Sequence, residues 1–158
     1  MLEQYKRLLD SKEFKSWVKK NPDSYLCSCF NARDGINDSF WNFDFYNPND
    51  RITTFGVAEE IIVNENQEIF KHDKDRVAKI NLDDVKINLD KALELIKLPE
   101  GEQFVKTISI LQFKDILLWN ITMISASFNI LNVKINAETG EEAYRNLGSV
   151  MDFRKIVK

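Results

Sequence analysis

Cys27 and Cys29 are the two cysteines of the chain, and they lie two residues apart in the segment Tyr25 to Phe30. Such a pair is typical of half of a thiolate metal site or of a redox centre. In a strand both sulfurs would lie on the same face, and a disulfide between them would be strained. Because only one histidine and no further cysteine could complete a ligand set, we expect two buried, reduced thiols with a packing role.

The single histidine, His72, is followed by Asp73 and Asp75. An imidazole beside carboxylates can act as a general base or as one ligand of a metal ion. The segment around it is highly charged and has no clean period, which is typical of a connector. The glycine and the glutamate that a calcium loop needs at its sixth and twelfth positions are missing. We therefore predict a solvated surface histidine and no metal site.

Pairs of neighbouring acids, such as Glu59-Glu60 and Glu141-Glu142, could supply the two carboxylates of a hydrolase. Neighbouring acids on a strand or loop point apart, however, so these pairs favour solubility over catalysis. The sequence also lacks the glycine-rich loops that bind nucleotide phosphates and the Gly-x-Ser-x-Gly elbow of hydrolases. We predict no cofactor, and we favour a protein without enzymatic activity.

The chain has 158 residues, a net charge of −3 and a pI near 5.3. This length predicts a single domain, 1–158, or two very small ones. The charge gives no field that would attract a phosphate backbone, so nucleic acid is not an expected partner. The N-terminus is charged in its first turn, and no segment stays apolar long enough to span a bilayer. These features predict a cytoplasmic protein with no membrane partner.

The N-terminal segment carries apolar residues at helical spacing from Leu2 to Val18, which predicts an amphipathic helix to about Lys20. Asp10 to Glu13 has the spacing of a capping box, which allows the helix to break and restart near Ser11. Strands are then predicted at Ser24 to Asn31, Ser39 to Tyr46 and Arg51 to Val63, and, after a turn at 64–67, at Glu68 to Lys71.

The strand Ser39 to Tyr46 divides its side chains between two faces. The rings at odd-numbered positions share one face and are predicted to be core: Trp41, Phe43 and Phe45. Alternation turns three other side chains away from that core, and we predict that they form a contact surface: Phe40, Asp44 and Tyr46.

The second half of the chain follows a connector that ends near Asp84. Asn88 is placed to cap a short helix, Leu89 to Lys97, which Pro99 and Gly101 end. Further strands are predicted at Gln103 to Phe113, Ile116 to Phe128 and Ile130 to Ala137, and, after a charged loop beyond Gly140, at Val150 to Val157.

This order of elements predicts an α+β protein in which a helix plus an antiparallel meander occurs twice. The corresponding sub-halves would be 1–78 and 79–158. Each amphipathic helix needs an apolar surface, so we expect each to pack on one face of its own sheet.

Three short motifs occur together in the C-terminal half. A helix carrying an alanine begins at Asn88, a strand contains Trp119-Asn120-Ile121, and a later strand ends in Ala137-Glu138-Thr139-Gly140-Glu141. This half resembles a PepSY-type module. The resemblance implies a cystatin-like α+β fold and a non-enzymatic role in binding or inhibition, often in connection with peptidases. It brings no catalytic residues with it.

Together these patterns predict a small binding module, a monomer or a homodimer, that meets a protein or peptide through a sheet face or an open edge. The alternative is a small-ligand-binding protein or an enzyme with a pocket between helix and curved sheet. A deep polar cavity would favour the alternative. A filled core with an exposed aromatic patch would favour the binding module.

Truncation of individual rings tests this assignment of faces. Trp17→Ala and Phe43→Ala are each expected to lower the free energy of unfolding by a few kcal/mol, as large-to-small core substitutions do. Phe40→Ala is expected to leave it nearly unchanged. Urea denaturation of the three variants measures these differences, and equal losses at Phe40 and Phe43 would show that the faces are wrongly assigned.

Overall fold

The computed structural model describes residues 1–35, 37–69 and 77–150, without the side chain of Asp38. Strands predominate among these residues, and the ladders described below are antiparallel, so the predicted class, α+β with an antiparallel sheet, is confirmed and is mainly β. The elements are α1 (Leu2–Asp10), α2 (Lys12–Lys20), α3 (Leu89–Leu95), β1 (Tyr25–Asp34), β2 (Asn37–Asp38), β3 (Trp41–Asn47), β4 (Arg51–Val57), β5 (Ile61–Glu68), β6 (Phe104–Lys114), β7 (Ile116–Ser125), β8 (Asn129–Asn136) and β9 (Glu142–Ser149).

The chain divides into two compact units. The first contains Met1–Phe30 and Phe40–Leu82, and the second contains Asn31–Ser39 and the residues from Asp83 onward. In the first unit the strands pair in the order β5-β4-β3-β1, and in the second β6, β7, β8 and β9 form a meander. The predicted sub-halves 1–78 and 79–158, and the predicted repeat, stay predictions.

The N-terminal helical segment breaks at Ser11, as predicted, although the capping residue is Ser11 and not Asp10. Ser11 has an extended backbone, and its hydroxyl accepts a hydrogen bond from the backbone N–H of Phe14 at 3.2 Å. This bond satisfies one of the amide donors that the first turn of α2 leaves unpaired. At the other end the N–H of Asn21 donates to the carbonyl of Trp17, and Pro22 follows, so α2 ends at Lys20.

The core of the first unit is a cluster of aromatic rings. Phe14 and Trp17 of α2 lie with their ring centroids 5.1 Å and 5.5 Å from that of Phe45, in tilted and edge-on contacts. Both also contact Phe55 of β4, which is fully buried. Such pairs add to the stability that ring burial gives. Each ring therefore has neighbours from both the helix and the sheet.

Burial in β3 follows the predicted alternation. Phe43 and Phe45 are 0% and 4% exposed, as expected for core rings, whereas Phe40 is 42% exposed. Trp41, which was also predicted as core, is only half-buried. It is the first residue of β3 and pairs with Val57 at the end of β4, so it lies at one end of the sheet.

The prediction for residues 51–71 is wrong in its turns. Arg51 to Val63 forms two strands, because the chain reverses at residues 58–60, where the N–H of Ala58 donates to the carbonyl of Glu60. That turn contains no glycine, proline or asparagine to mark it. The predicted turn at 64–67 lies inside β5 at a register shift, where Asn66 has a φ of +58°. Of the predicted strand 68–71, residues 70 and 71 lie outside the described ranges.

In the second unit α3 begins as predicted. The side-chain oxygen of Asn88 accepts from the N–H of Lys91 at 2.9 Å, and Ala92 faces the core with 0% exposure. The helix ends at Leu95, two residues before the predicted end. Trp119 of β7 is fully buried, and its indole N–H donates to the carbonyl of Ile87 at 2.8 Å. This bond satisfies the one polar group of a buried ring.

The segment beyond Gly140 was predicted as a charged loop, and this is wrong. Glu142–Ser149 forms β9, which pairs with β8. Its side chains are mostly exposed and show no apolar alternation, so the pattern carried no strand signal. The strand is held by its backbone ladder and by Arg145, which contacts Glu142 and the carbonyl of Lys97. The predicted strand 150–157 lies, from residue 151, outside the described ranges.

Two glycines with positive φ allow a controlled test of the β8–β9 turn. Gly101 (φ +78°) has open space where a Cβ would stand, so Gly101→Ala is expected to cost about 1–2 kcal/mol, the price of a left-handed alanine. Gly140 (φ +82°) would place its Cβ 3.1 Å from Leu95 Cδ1, so Gly140→Ala is expected to cost more. Urea denaturation compares the two variants. Equal costs would mean that contact with Leu95 does not constrain the turn.

Candidate functional site

The three predicted contact residues lie on or beside β3 of the first unit. Asp44 and Tyr46 point away from the ring cluster, and Phe40 immediately precedes the strand. Their cross-strand neighbours on β1 and β4 are Ser28 and Thr54 opposite Asp44, and Tyr25 and Ile52 opposite Tyr46. We call this side of the first unit's sheet the outer face.

Asp44 is a half-buried carboxylate at the centre of the outer face. Its Oδ2 accepts a hydrogen bond from the Ser28 hydroxyl at 2.6 Å, and its Oδ1 accepts one from the Thr54 hydroxyl at 2.6 Å. Burial raises the pKa of Asp44 above its usual range, and the two hydroxyl donors oppose this shift because they stabilise the charged form. Each oxygen retains a lone pair that could accept a further bond.

Two tyrosines close one end of this cluster. The rings of Tyr25 and Tyr46 lie 5.3 Å apart between centroids. Each hydroxyl has a partner within the first unit: Tyr46 donates to Asp50, and Tyr25 donates to the carbonyl of Val77 at 2.7 Å. These bonds orient the two rings at the tyrosine end of the outer face.

The other end is an apolar ridge formed by Phe40, Gly56 and Ile62. Gly56 and Ile62 are paired on β4 and β5, and a Cβ at Gly56 would stand 2.7 Å from Phe40 Cε2. The ring therefore lies against the glycine backbone. Phe40 is 42% exposed and Ile62 43% exposed. Two partly exposed apolar side chains thus flank Gly56, whose partner on β3 is Asn42, the neighbour of Asp44 on the same face.

The sequence did not identify Ser28, Thr54, Gly56 or Ile62 as members of this site. Alternation along β3 placed Asp44 and Tyr46 on the outer face, but the partners come from other strands. Only the register of β1, β4 and β5 against β3 brings them together, and the turn that sets the register of β5 was predicted wrongly.

The two cysteines are buried, as predicted. Cys27 is 8% exposed and Cys29 0% exposed, and both are free thiols. Burial is the main cause that raises the pKa of Cys27 to about 12, with a further contribution from Asp44, and burial also raises the pKa of Cys29. The Cys27 thiol donates to the backbone carbonyl of Asp44 at 3.3 Å. Both groups stay protonated at neutral pH and are poor nucleophiles.

His72, Asp73 and Asp75 lie outside the described residues, so the prediction of a surface histidine stays a prediction. Across residues 1–35, 37–69 and 77–150, no group of three or more His, Cys, Asp or Glu is arranged to hold a metal ion. In the same ranges no helix is long and apolar enough to cross a membrane.

The acidic pair Glu59-Glu60 lies in the turn between β4 and β5. Arg7 of α1 reaches this turn and donates to the carbonyls of Ala58, at 2.5 Å, and of Glu59. An open groove of about 620 Å³ adjoins the turn, and a second groove of about 280 Å³ lies beside α2 and β5. Glu13 lines both grooves.

No protein-family model matches the chain, and no curated protein matches it. In fold, the chain is similar to a solved structure of a "putative lipoprotein" from Clostridium difficile 630. The TM-score is 0.56 and the sequence identity 13%, over 86% of this chain and 90% of that chain. At this identity the similarity shows the fold alone and carries no activity over.

The pH dependence of stability tests the environment of Asp44. Because its pKa is raised, the folded chain holds the proton to a higher pH than the unfolded chain does. The stabilisation is therefore complete below the unfolded-state pKa of about 3.9 and is lost as the pH rises through the folded-state pKa. Asp44→Asn removes this titration. The free energy of unfolding of the native chain should therefore fall relative to that of the variant as the pH rises from 4 to 7.

Urea denaturation at several pH values measures this difference. Ser28→Ala serves as the matched control, because it keeps the carboxyl group but removes one hydrogen-bond donor to its charged form. The pKa of Asp44 should then rise further, so the fall in stability should occur at higher pH. A stability difference between native chain and Asp44→Asn that does not change with pH would contradict the assignment.

Proposed function

We propose that this chain is a non-enzymatic binding module whose first unit meets a protein or peptide partner through its outer face. The observation that carries the proposal is the exposed apolar ridge of Phe40 and Ile62 on the same face of the sheet as the carboxylate of Asp44. Exposed apolar side chains grouped on a sheet face mark interaction sites more often than singly scattered ones. The partner should present an apolar side chain to the ridge and a hydrogen-bond donor to Asp44.

The filled core of the first unit supports this function over the alternative of a pocket between helix and sheet. The rings of Phe14, Trp17 and Phe45 occupy the space between α2 and the strands, at centroid separations of 5.1 to 5.9 Å. A ligand pocket needs unfilled volume of several hundred Å³ that encloses its ligand. The grooves of the first unit near α2 are open to solvent, and of these three rings Trp17 lines one of them.

We also infer that the chain is a tandem of two helix-plus-meander units, each with its helix packed on one face of its sheet. In the first unit the support comes from the α2 rings against β3 and β4. In the second it comes from buried Ala92 of α3 and from the bond of Trp119 to Ile87. Ala92 and Trp119 also belong to the motifs that resemble a PepSY-type module, which is consistent with a binding role.

The predicted cytoplasmic location belongs to the same proposal. The description of the structural neighbour as a "putative lipoprotein" makes the location a useful point to test. Fractionation of cells that produce the full chain should recover it with cytosolic proteins. Recovery with membranes or outside the cell would contradict this part of the proposal.

Site-directed crosslinking tests the outer face. A photoreactive phenylalanine at position 40 is expected to capture a partner protein in cells, whereas the same group at position 113 is not. Phe113 is the matched control because it is 45% exposed and lies in the second unit. The captured protein is then purified, and its affinity for the native chain is compared with that for Phe40→Ala, Ile62→Ala and Phe113→Ala.

Loss of a central apolar contact should weaken binding by about tenfold or more for Phe40→Ala and Ile62→Ala. Phe113→Ala should bind like the native chain. Equal effects of all three substitutions would contradict the proposal. Crosslinks formed only between two copies of the chain would show that the outer face is a homodimer interface and not a site for another protein.

A further inference from the structure

The strand β5 is the last strand of the first unit's sheet. It pairs with β4, and among the described residues no strand pairs with its other edge. Residues 61–64 run in regular register opposite residues 57–54, before the shift near Asn66 interrupts the ladder. Three of these four residues are β-branched, which favours an extended backbone. An edge of this kind presents unpaired N–H and C=O groups to any extended chain.

A groove follows this edge on the side of α2. It consists of the two open grooves described above, of about 620 and 280 Å³, which share Glu13 in their lining and which we treat together as the groove. The side chains of Ile61 and Val63 line it from the strand, and Trp17 lines it from the helix. A strand added to β5 would send every second side chain into this groove, because side chains alternate between the faces of a sheet.

The rim of the groove is acidic. Among the described residues that line it, five carry carboxylates and two, Arg7 and Lys20, carry positive charges; the acids are Asp10, Glu13, Glu59, Glu60 and Glu65. The guanidinium of Arg7 donates to the carbonyls of Ala58 and Glu59, so it is held at the turn. The groove therefore favours a positively charged occupant.

We propose that β5 binds an extended basic segment of a partner protein as an added strand. Lysine or arginine at alternate positions would lie in the groove between α2 and β5, and apolar residues between them would lie beside Ile62. The inference rests on the proposed binding function and names the partner's chemistry, but it uses the edge and the groove, not Asp44 or Tyr46. A second copy of this chain is disfavoured at this edge, because it would bring another acidic rim against the first.

Binding of designed peptides to the full-length chain tests the proposal. The probe is a fluorescent peptide of about seven residues that alternates lysine with valine, long enough to cover a typical strand. Its matched control alternates glutamate with valine. Fluorescence anisotropy should detect binding of the lysine peptide only, and binding should weaken between about 0.1 M and about 1 M salt, where the Debye length falls from about 10 Å to about 3 Å.

Two sets of variants separate this groove from general attraction to an acidic protein. Glu60→Lys with Glu65→Lys should weaken binding of the lysine peptide by about tenfold or more. Glu100→Lys with Glu138→Lys makes the same change of charge at exposed positions of the second unit and should leave affinity within about twofold. Thermal melts verify that both double variants are folded.

Backbone methylation tests strand addition itself. Two lysine peptides carry N-methyl groups on alternate amides, one set on each edge, so only one peptide keeps the edge that pairs with β5. One should bind like the parent and the other should not. Equal binding of the two, or equal weakening by the two double variants, would overturn the proposal.

The same measurements separate this proposal from the outer-face function. Phe40→Ala is expected to change the affinity for the lysine peptide by no more than about twofold, because Phe40 lies over Gly56 of β4, one strand away from the edge of β5 that the peptide would pair with. A lysine peptide that binds normally while Phe40 crosslinks fail would reject the outer face and keep the groove. Phe40 crosslinks without peptide binding would reject the groove alone.

Discussion

The first unit depends on the contact of Phe14 and Trp17 with the rings of β3 and β4. These residues lie three apart on α2, on one face of the helix, and both are almost fully buried. The helix can present them because Ser11 interrupts the helical segment and caps α2 at its start. Truncation of a single ring would leave a cavity between helix and sheet that the remaining rings could fill only in part.

As a consequence, the two faces of this sheet differ in what they contribute: one supplies stability, and the other is the face proposed to bind a partner. On the side with the ring cluster, aromatic rings fill the space between α2 and the strands and supply stability, and the grooves on that side are open to solvent. The outer face has a polar centre that is satisfied by its own neighbours, with Asp44 held by Ser28 and Thr54. A surface that is already ordered loses little conformational freedom when a partner binds, which is an advantage for a recognition site.

The sequence predicted those elements that a local pattern marks, either a capping residue or a periodic spacing of apolar side chains. The break at Ser11, the cap at Asn88, the alternation of β3 and the hairpin of β7 and β8 all follow from local patterns. The turn at 58–60 and strand β9 did not, because their identity depends on pairing with a neighbouring strand and not on their own residues. The candidate site shows the same limit: alternation along one strand placed Asp44 and Tyr46, whereas Gly56 and Ile62 required the register of three strands.

The two buried thiols have a practical consequence for the behaviour of the protein over time. Cys27 and Cys29 are enclosed and protonated in the folded chain, so oxidants and alkylating reagents can reach them only when the structure opens. Their modification rate is then the rate of an exposed thiol multiplied by the fraction of molecules in which the first unit is open. The two thiols therefore report on opening of the first unit: the more slowly they are oxidised or alkylated in solution, the smaller is the fraction of molecules in which the surrounding strands are open.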